Sequence, residues 1–164
     1  MDELEKNPEI RNKFSGQIIV GAEPFMNGVA ALLSAITNES DNSLLDEYKN
    51  IRVFSDDVRL LLKDFKDAIF SEIWILHPDP WPKARHEKRR LLSHKFLNLL
   101  SNHIGKTGKI IIGTDHWEYY DWIIEQLEQT NLEIKSTEID TIKTRYQIKN
   151  KAGTLAPKYI VLGH

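Results

Sequence analysis

The chain alternates short, β-branched apolar runs with longer amphipathic segments from residue 17 onward. The apolar runs have the length and composition of buried strands, and they lie at 17–22, 50–54, 73–76 and 109–113. The amphipathic segments have helical spacing, and they lie at 27–36, 58–65, 85–104 and 117–129. Two more strands are predicted at 132–137 and 158–162. This alternation predicts an α/β fold within a single domain over residues 1–164, in which right-handed crossovers join mostly parallel strands.

Acidic residues follow four of the predicted strands. They are Glu23, the pair Asp56 and Asp57, Asp79, and Asp115 directly after Thr114. Ligands of such sheets bind at the carboxyl ends of the strands, where a carboxylate can accept hydrogen bonds from ribose hydroxyls. We therefore interpret Glu23 as a ribose ligand and Asp57 as a residue suited to an adenine edge, with Asp56 as the alternative. Each could also be an ordinary loop acid.

A proline-rich turn and a basic cluster follow the strand at 73–76. Pro78, Pro80 and Pro82 stiffen the backbone around Asp79, and Trp81 offers a flat face for stacking. Five Lys or Arg residues then lie between 83 and 90, at the start of a predicted helix, where cations oppose the helix dipole. Such a placement indicates a compensating anion such as RNA phosphate. The alternative is a rigid turn before a solvated basic helix.

Composition excludes several classes of protein. The 28% of charged residues argues against a membrane protein, and residues 1–13 lack the apolar core of a signal peptide. Cysteine is absent, which excludes disulfides and thiolate metal sites and is compatible with a reducing cytoplasm. We therefore expect a cytoplasmic protein without a bound metal. The net charge of −2 gives no overall indication of a polyanion partner, so the local basic cluster carries that prediction.

The segment 78–91, P-D-P-W-P-K-A-R-H-E-K-R-R-L, resembles the signature of the bacterial tRNA (guanine-N7-)-methyltransferases. Weaker resemblances flank it in the family's order. Residues 21–30 resemble the family's second strand and the helix after it, and 50–57 its third strand with a terminal aspartate. Residues 114–120 resemble its T-D-x-x-x-Y segment, and 144–147, T-R-Y-Q, its T-K-F-E segment.

The resemblance implies a fold, a reaction and a set of site residues. The fold would be Rossmann-like and doubly wound, with a mostly parallel sheet, as in S-adenosylmethionine-dependent methyltransferases. The reaction would transfer a methyl group from S-adenosylmethionine to N7 of a guanine in the variable loop of tRNA. Cofactor contacts are implied for Glu23, Asp57 and Asp79, of which Asp79 would also be the catalytic residue. Contacts with the guanine are implied for Lys83, Asp115, Thr144, Arg145, Tyr146 and Gln147. Contacts with tRNA are implied for Arg85, His86, Glu87, Lys88, Arg89 and Arg90.

The sequence also departs from the family pattern. Gly16 is the one glycine in the first 20 residues, and no G-x-G precedes Glu23. We therefore expect residues 1–13 to be the remainder of the family's first helix, with its first strand and glycine-rich loop lacking. The neighbouring sheet edges would then be exposed, and a homodimer could cover them.

Smaller departures are Arg145, Tyr146 and Gln147, which replace Lys, Phe and Glu, and His77, which replaces an apolar or aromatic residue. Two functions remain open at this point. The chain is either an N7-methyltransferase or an RNA- or partner-binding remnant that binds cofactor poorly.

Overall fold

The computed structural model describes residues 16–65, 70–139 and 156–164. The chain divides into two compact units. Of the described residues, 16–65 belong to the first unit, and 70–139 and 156–164 belong to the second. The first helix expected at residues 1–13 lies outside the described residues.

The first unit contains two parallel strands and two helices. Strand β1 (Ile19–Ala22) pairs in parallel with β2 (Ile51–Phe54). Helix α1 (Met26–Ile36) connects them, and α2 (Val58–Asp64) follows β2. Four buried side chains form the core of this unit, namely Leu32, Ile36, Tyr48 and Ile51. Each buried Leu or Ile side chain stabilises the fold by about 1.5–3 kcal/mol.

The second unit is built on a four-stranded sheet in the order β3-β4-β6-β5. Its strands are β3 (Phe70–Leu76), β4 (Ile104–Thr114), β5 (Glu133–Ser136) and β6 (Lys158–Gly163). Strands β3 and β4 are parallel, as the sequence predicts, whereas β6 runs antiparallel to both β4 and β5. Helices α3 (His94–Ser101) and α4 (Trp117–Leu127) complete the unit. In this order β3 and β5 are the edge strands.

One predicted element is wrong. The sequence predicts a single helix over 85–104, but the structure has a 3-10 helix at Ala84–Arg89, an irregular stretch, and then α3. At the break the Arg90 backbone is extended, with ψ at 128°, and the Leu92 N–H donates to the distant Tyr119 hydroxyl instead of a carbonyl of the preceding turn. The predicted helix also extends too far, because α3 ends at Ser101 and β4 begins at Ile104.

No helix in the described parts of the chain is long and apolar enough to cross a membrane. The core of the second unit contains side chains from α3, β4, α4 and β6. Leu97 and Leu100 of α3, Ile110 and Ile112 of β4, and Ile123 of α4 are almost completely buried. Strand β4 is therefore fixed by packing up to its carboxyl end, where Thr114 is also buried, and β3 is held there by its pairing with β4.

Candidate functional site

Asp79 lies in a turn that leaves the sheet at the end of β3. The His77 N–H donates a hydrogen bond of 2.7 Å to the Gly113 carbonyl, which extends the pairing with β4 by one residue. His77 and Trp81 then adopt φ angles of +50° and +41°. Left-handed φ values cost a non-glycine residue roughly 1–2 kcal/mol. The two strained residues enclose Pro78-Asp79-Pro80, and the Asp79 side chain is exposed.

The far end of this turn is held by Arg90. Its Nε donates to the Pro80 carbonyl over 2.8 Å, and its Nη2 lies 3.4 Å from the Trp81 carbonyl oxygen. The guanidinium carbon lies 5.0 Å from the Trp122 ring centroid and 5.5 Å from that of Tyr119. The turn that presents Asp79 is thereby connected to α4.

Tyr119 supports the same region from inside the protein. Its side chain is completely buried, and its hydroxyl oxygen accepts a hydrogen bond of 3.3 Å from the Leu92 N–H. Burial raises the pKa of Tyr119 to about 12, against the smaller opposing effect of that N–H bond. Tyr119 is therefore neutral at physiological pH and acts as a packing and hydrogen-bonding residue.

The basic cluster forms an exposed surface beside Asp79. Lys83, Arg85, Lys88 and Arg89 are exposed, whereas Arg90 is buried. The Arg89 guanidinium carbon lies 4.9 Å from the Trp81 ring centroid, and the His86 ring meets that indole edge-on with centroids 5.7 Å apart. A cation over an indole face is stabilised by the ring's negative face. The surface is positively charged and has an aromatic group at its centre.

Asp115 and Thr114 lie at the end of β4, next to the Asp79 turn. Asp115 Oδ1 lies 3.7 Å from His77 Nδ1, with 22% and 15% of the two side chains exposed. Thr114 is buried, and its hydroxyl oxygen accepts a hydrogen bond of 3.2 Å from the His116 N–H. The adjacent ends of β3 and β4 thus bring Asp115 to the base of the turn that carries Asp79.

Glu23 lies at the end of β1 in the first unit. Its N–H donates to the Phe54 carbonyl of β2, and its carboxylate Oε1 accepts a hydrogen bond of 2.9 Å from the Phe25 N–H at the start of α1. A Cβ atom at Gly28 would lie 3.2 Å from Glu23 Cγ. The absent side chain at Gly28 therefore leaves space that the Glu23 carboxylate occupies.

Asp57 begins α2 and is already engaged by Arg59. Asp57 Oδ1 accepts from the Arg59 backbone N–H, and both of its carboxylate oxygens accept from the Arg59 guanidinium. This pairing holds the pKa of Asp57 below its ordinary value. The neighbouring Asp56 carboxylate accepts a hydrogen bond of 2.7 Å from the Asp57 backbone N–H.

Thr144, Arg145, Tyr146 and Gln147, expected to contact the guanine, lie outside the described residues. Within the described ranges, no group of three or more His, Asp or Glu residues could hold a metal ion. The sequence assigned no role in the site to His77, Tyr119 or Trp122. Tyr119 stands at the tyrosine of the T-D-x-x-x-Y segment and His77 departs from the family pattern, so both positions carried a signal, whereas Trp122 carried none.

A family model described as "Putative methyltransferase" matches residues 9–157. A protein of Wolbachia pipientis wMel named "tRNA (guanine-N(7)-)-methyltransferase" is 41% identical over 114 residues, covering 70% of this chain and 48% of that protein. A protein of the same name from Mycoplasmopsis pulmonis (strain UAB CTIP) is 34% identical over 155 residues, covering 94% of this chain and 72% of that protein. The chain spans about half of the length of the Wolbachia relative.

A solved structure, "Structure of a putative methyltransferase from Thermoplasma acidophilum", has a TM-score of 0.51 with this chain at 13% identity. The matched region covers 94% of this chain and 59% of the Thermoplasma protein. At this identity the similarity concerns the fold alone. It confirms the Rossmann-like α/β fold class expected from the sequence.

Proposed function

The chain belongs to the bacterial tRNA (guanine-N7-)-methyltransferase family, and we propose that it methylates N7 of a guanine in the variable loop of tRNA with S-adenosylmethionine as the donor. The observation that carries this proposal is the strained turn that presents Asp79 beside an exposed basic surface with Trp81 at its centre. A tRNA substrate also supports the expected cytoplasmic location.

Guanine N7 carries an in-plane lone pair and accepts hydrogen bonds in its neutral form. Its methylation therefore needs no strong general base, and alignment of N7 with the methyl group is the main requirement. S-adenosylmethionine, when bound, supplies an electrophilic methyl group on a sulfonium sulfur. The protein must orient the base, exclude water, and stabilise the positive charge that appears on the guanine ring.

Asp79 has the properties that this task requires. Its carboxylate can accept hydrogen bonds from guanine N1–H and the exocyclic amine, a pattern that adenine does not offer. A fixed negative charge also stabilises the cationic product ring. We assign Asp79 this orienting and stabilising role, with Asp115 as a second acidic group at the adjacent strand end. Lys83 and Thr144 to Gln147 remain the proposed further contacts of the base.

Glu23 fits the role of a ribose ligand. Its Oε1 is held by the Phe25 N–H, so the carboxylate has a fixed orientation at the end of β1, and the space at Gly28 accommodates it. Asp57 fits less directly, because Arg59 already engages both of its oxygens. An adenine contact by Asp57 would have to share or displace that pairing. We keep both residues as proposed cofactor ligands.

The exposed side chains of Lys83, Arg85, Lys88 and Arg89 support tRNA binding. Phosphate contacts by Lys and Arg dominate the affinity of such complexes and make it dependent on salt. His86 and Glu87 lie in the same 3-10 helix and complete the proposed tRNA-facing segment. The target guanine must leave its stack to be methylated, and Trp81 offers a surface on which a displaced base can stack.

The decisive experiment measures methyl incorporation into unmodified tRNA, followed by mapping of 7-methylguanosine. Wild-type protein is expected to methylate one variable-loop guanine, and Asp79→Ala to abolish this activity. Asp121→Ala, which removes an exposed acid from α4, is the matched control and should retain it. Full activity in Asp79→Ala would overturn the assignment of the reacting centre.

Calorimetry with S-adenosylmethionine then separates the two functions left open by the sequence. Cofactor binding together with methylation supports the enzyme. Binding of tRNA without any cofactor binding would instead support the RNA- or partner-binding alternative. The tRNA used in both experiments should be the same unmodified transcript.

We also propose that the protein self-associates through a sheet edge. Strand β3 is an edge strand of its sheet, its sequence FSEIWIL is mainly apolar, and Leu76 is 36% exposed. Exposed apolar edge strands are prone to pair with a second chain. Sedimentation analysis over a range of concentrations is expected to show a dimer, and a monomer at all concentrations would reject this proposal.

A further inference from the structure

Arg90 differs from the other cations of the basic segment in its burial. Only 5% of its side chain is exposed, whereas Lys83, Arg85, Lys88 and Arg89 are all exposed. Removing a cation from water costs several kcal/mol unless hydrogen bonds and opposite charges compensate. The burial of Arg90 therefore requires partners within the protein, and these partners indicate its role.

Most partners of Arg90 belong to the Asp79 turn and to α4. Its fork of N–H donors faces the Pro80 and Trp81 carbonyls, 2.8 and 3.4 Å away. Its planar group lies over the Tyr119 and Trp122 rings of α4. Nη1 also lies 3.8 Å from Glu87 Oε1, and the Arg90 N–H donates to the Glu87 carbonyl.

These contacts fix the backbone immediately after Asp79. The Pro80 and Trp81 carbonyls are the first two beyond the proposed catalytic residue, and Trp81 has the strained φ of +41°. Pro78 and Pro80 have no backbone N–H to donate, so fewer backbone hydrogen bonds can hold the turn. Arg90 instead donates to two carbonyls of the turn, Pro80 and Trp81, from ten and nine positions further along the chain.

We infer that Arg90 is a positioning residue, which holds the Asp79 turn against α4, and that it does not bind tRNA phosphate. This inference rests on the proposed methyltransferase function. It divides the basic segment into an outer set that faces RNA and one inner residue that sets the geometry of the site.

Arg90→Lys is the main test, because it keeps the positive charge and most of the side-chain volume. A lysine ammonium cannot donate to two carbonyls in a fork while it lies flat against two rings. A small misplacement of a reacting group can cost about 100-fold in rate. Arg90→Lys is therefore expected to lower kcat by about that factor with little change in the KM for tRNA. Lys95→Arg, the reverse exchange at an exposed cation on α3, is the matched control and should keep the wild-type kcat.

The salt dependence of tRNA binding separates positioning from phosphate binding. Loss of one phosphate contact lowers the slope of log K against log salt by about 0.7–1. Arg89→Ala is expected to show this decrease, whereas Arg90→Lys and Arg90→Ala should keep the wild-type slope. If Arg90→Ala lowers the slope as Arg89→Ala does, Arg90 is an RNA ligand; if Arg90→Lys has wild-type kcat, Arg90 does not position the turn. Either result overturns the inference.

Fluorine NMR provides a measurement that does not depend on activity. In protein labelled with 5-fluorotryptophan, Arg90→Lys should shift the Trp81 and Trp122 resonances, while those of Trp74 and Trp117 keep their positions. If wild-type protein fails to methylate tRNA, the proposed function fails, but this shift still supports the positioning contact. Unchanged Trp81 and Trp122 resonances would overturn it, whatever the activity.

Discussion

Gly28→Ala is expected to stabilise the protein and at the same time weaken cofactor binding. Gly28 lies in the first turn of α1, where alanine is a better helix former by up to about 1 kcal/mol. In a chain of this size, 1 kcal/mol raises Tm by about 2–4 °C. The added Cβ would lie 3.2 Å from Cγ and 3.3 Å from Cδ of Glu23. Because the Glu23 side chain can rotate, we expect it to move by a few tenths of an ångström without unfolding the helix.

This movement would affect the proposed ribose contact. A hydrogen bond to a charged group contributes about 1.5–3 kcal/mol, and 1.4 kcal/mol corresponds to a tenfold change in Kd. Loss of one such bond would weaken S-adenosylmethionine binding by about tenfold or more. Scanning calorimetry measures the expected rise in Tm, and titration calorimetry measures the expected loss of S-adenosylmethionine affinity.

Two matched variants identify the cause. Ala31→Gly, at an exposed position of the same helix, should lower stability by about 1 kcal/mol and leave cofactor binding unchanged. Glu23→Ala combined with Gly28→Ala should bind no more weakly than Glu23→Ala alone, since the second change acts only through Glu23. Wild-type affinity in Gly28→Ala, with binding lost in Glu23→Ala, would refute the steric argument.

Three further predictions concern stability and titration. Because pairing with Arg59 lowers the pKa of Asp57 in the folded state, that pair stabilises the protein above the ordinary carboxyl pKa, and the effect is lost as pH falls through the folded-state pKa. Asp57→Asn should therefore cost about 0.2–1 kcal/mol at pH 7 and close to nothing in acid, by thermal unfolding at both pH values. The Tyr119 pKa of about 12 in the folded protein lies above its unfolded value near 10. Its contribution to the free energy of unfolding should therefore be complete below pH 10 and disappear as pH rises towards 12. In a tyrosinate absorbance titration, wild type and Tyr119→Phe should differ only near pH 12. Gly113→Ala places a Cβ 2.6 Å from Cε1 of Tyr159 and should cost about 1–3 kcal/mol in chemical denaturation, with partial recovery in combination with Tyr159→Leu.

Strands were predictable from composition, whereas their direction and the end of the long helix were not. The β-branched run at 109–113 lies within β4, and the run at 158–162 within β6. An apolar run contains no information about whether its neighbour is parallel, so the antiparallel placement of β6 came only from the structure. The helix predicted over 85–104 is interrupted at 90–92, where the Leu92 N–H donates to a hydroxyl 27 residues away. Helical periodicity is a local pattern and cannot show such long-range bonds.

The sequence correctly predicted that acidic residues follow the strands, but it did not indicate the hydrogen-bond partners of their side chains. Glu23 directly follows β1, and Asp115 directly follows β4. The spacing of Asp57 and Arg59 gave no indication that Arg59 would occupy both oxygens of the carboxylate. Similarly, the five cations between 83 and 90 cannot be told apart in sequence, and only the contacts of Arg90 with the Asp79 turn and α4 distinguish it from its exposed neighbours.

The left-handed residues at both ends of the Asp79 turn have a consequence for the order of folding. His77 and Trp81 would not adopt these angles in an isolated peptide, because nothing local offsets their cost. The compensating bonds come from β4 and from Arg90 packed on α4, so the turn can form only after these elements have assembled. We therefore expect the proposed reacting centre to form after β4 and α4 have packed, and to open under mild denaturant before they do. A partly folded chain can therefore contain the sheet and lack the site.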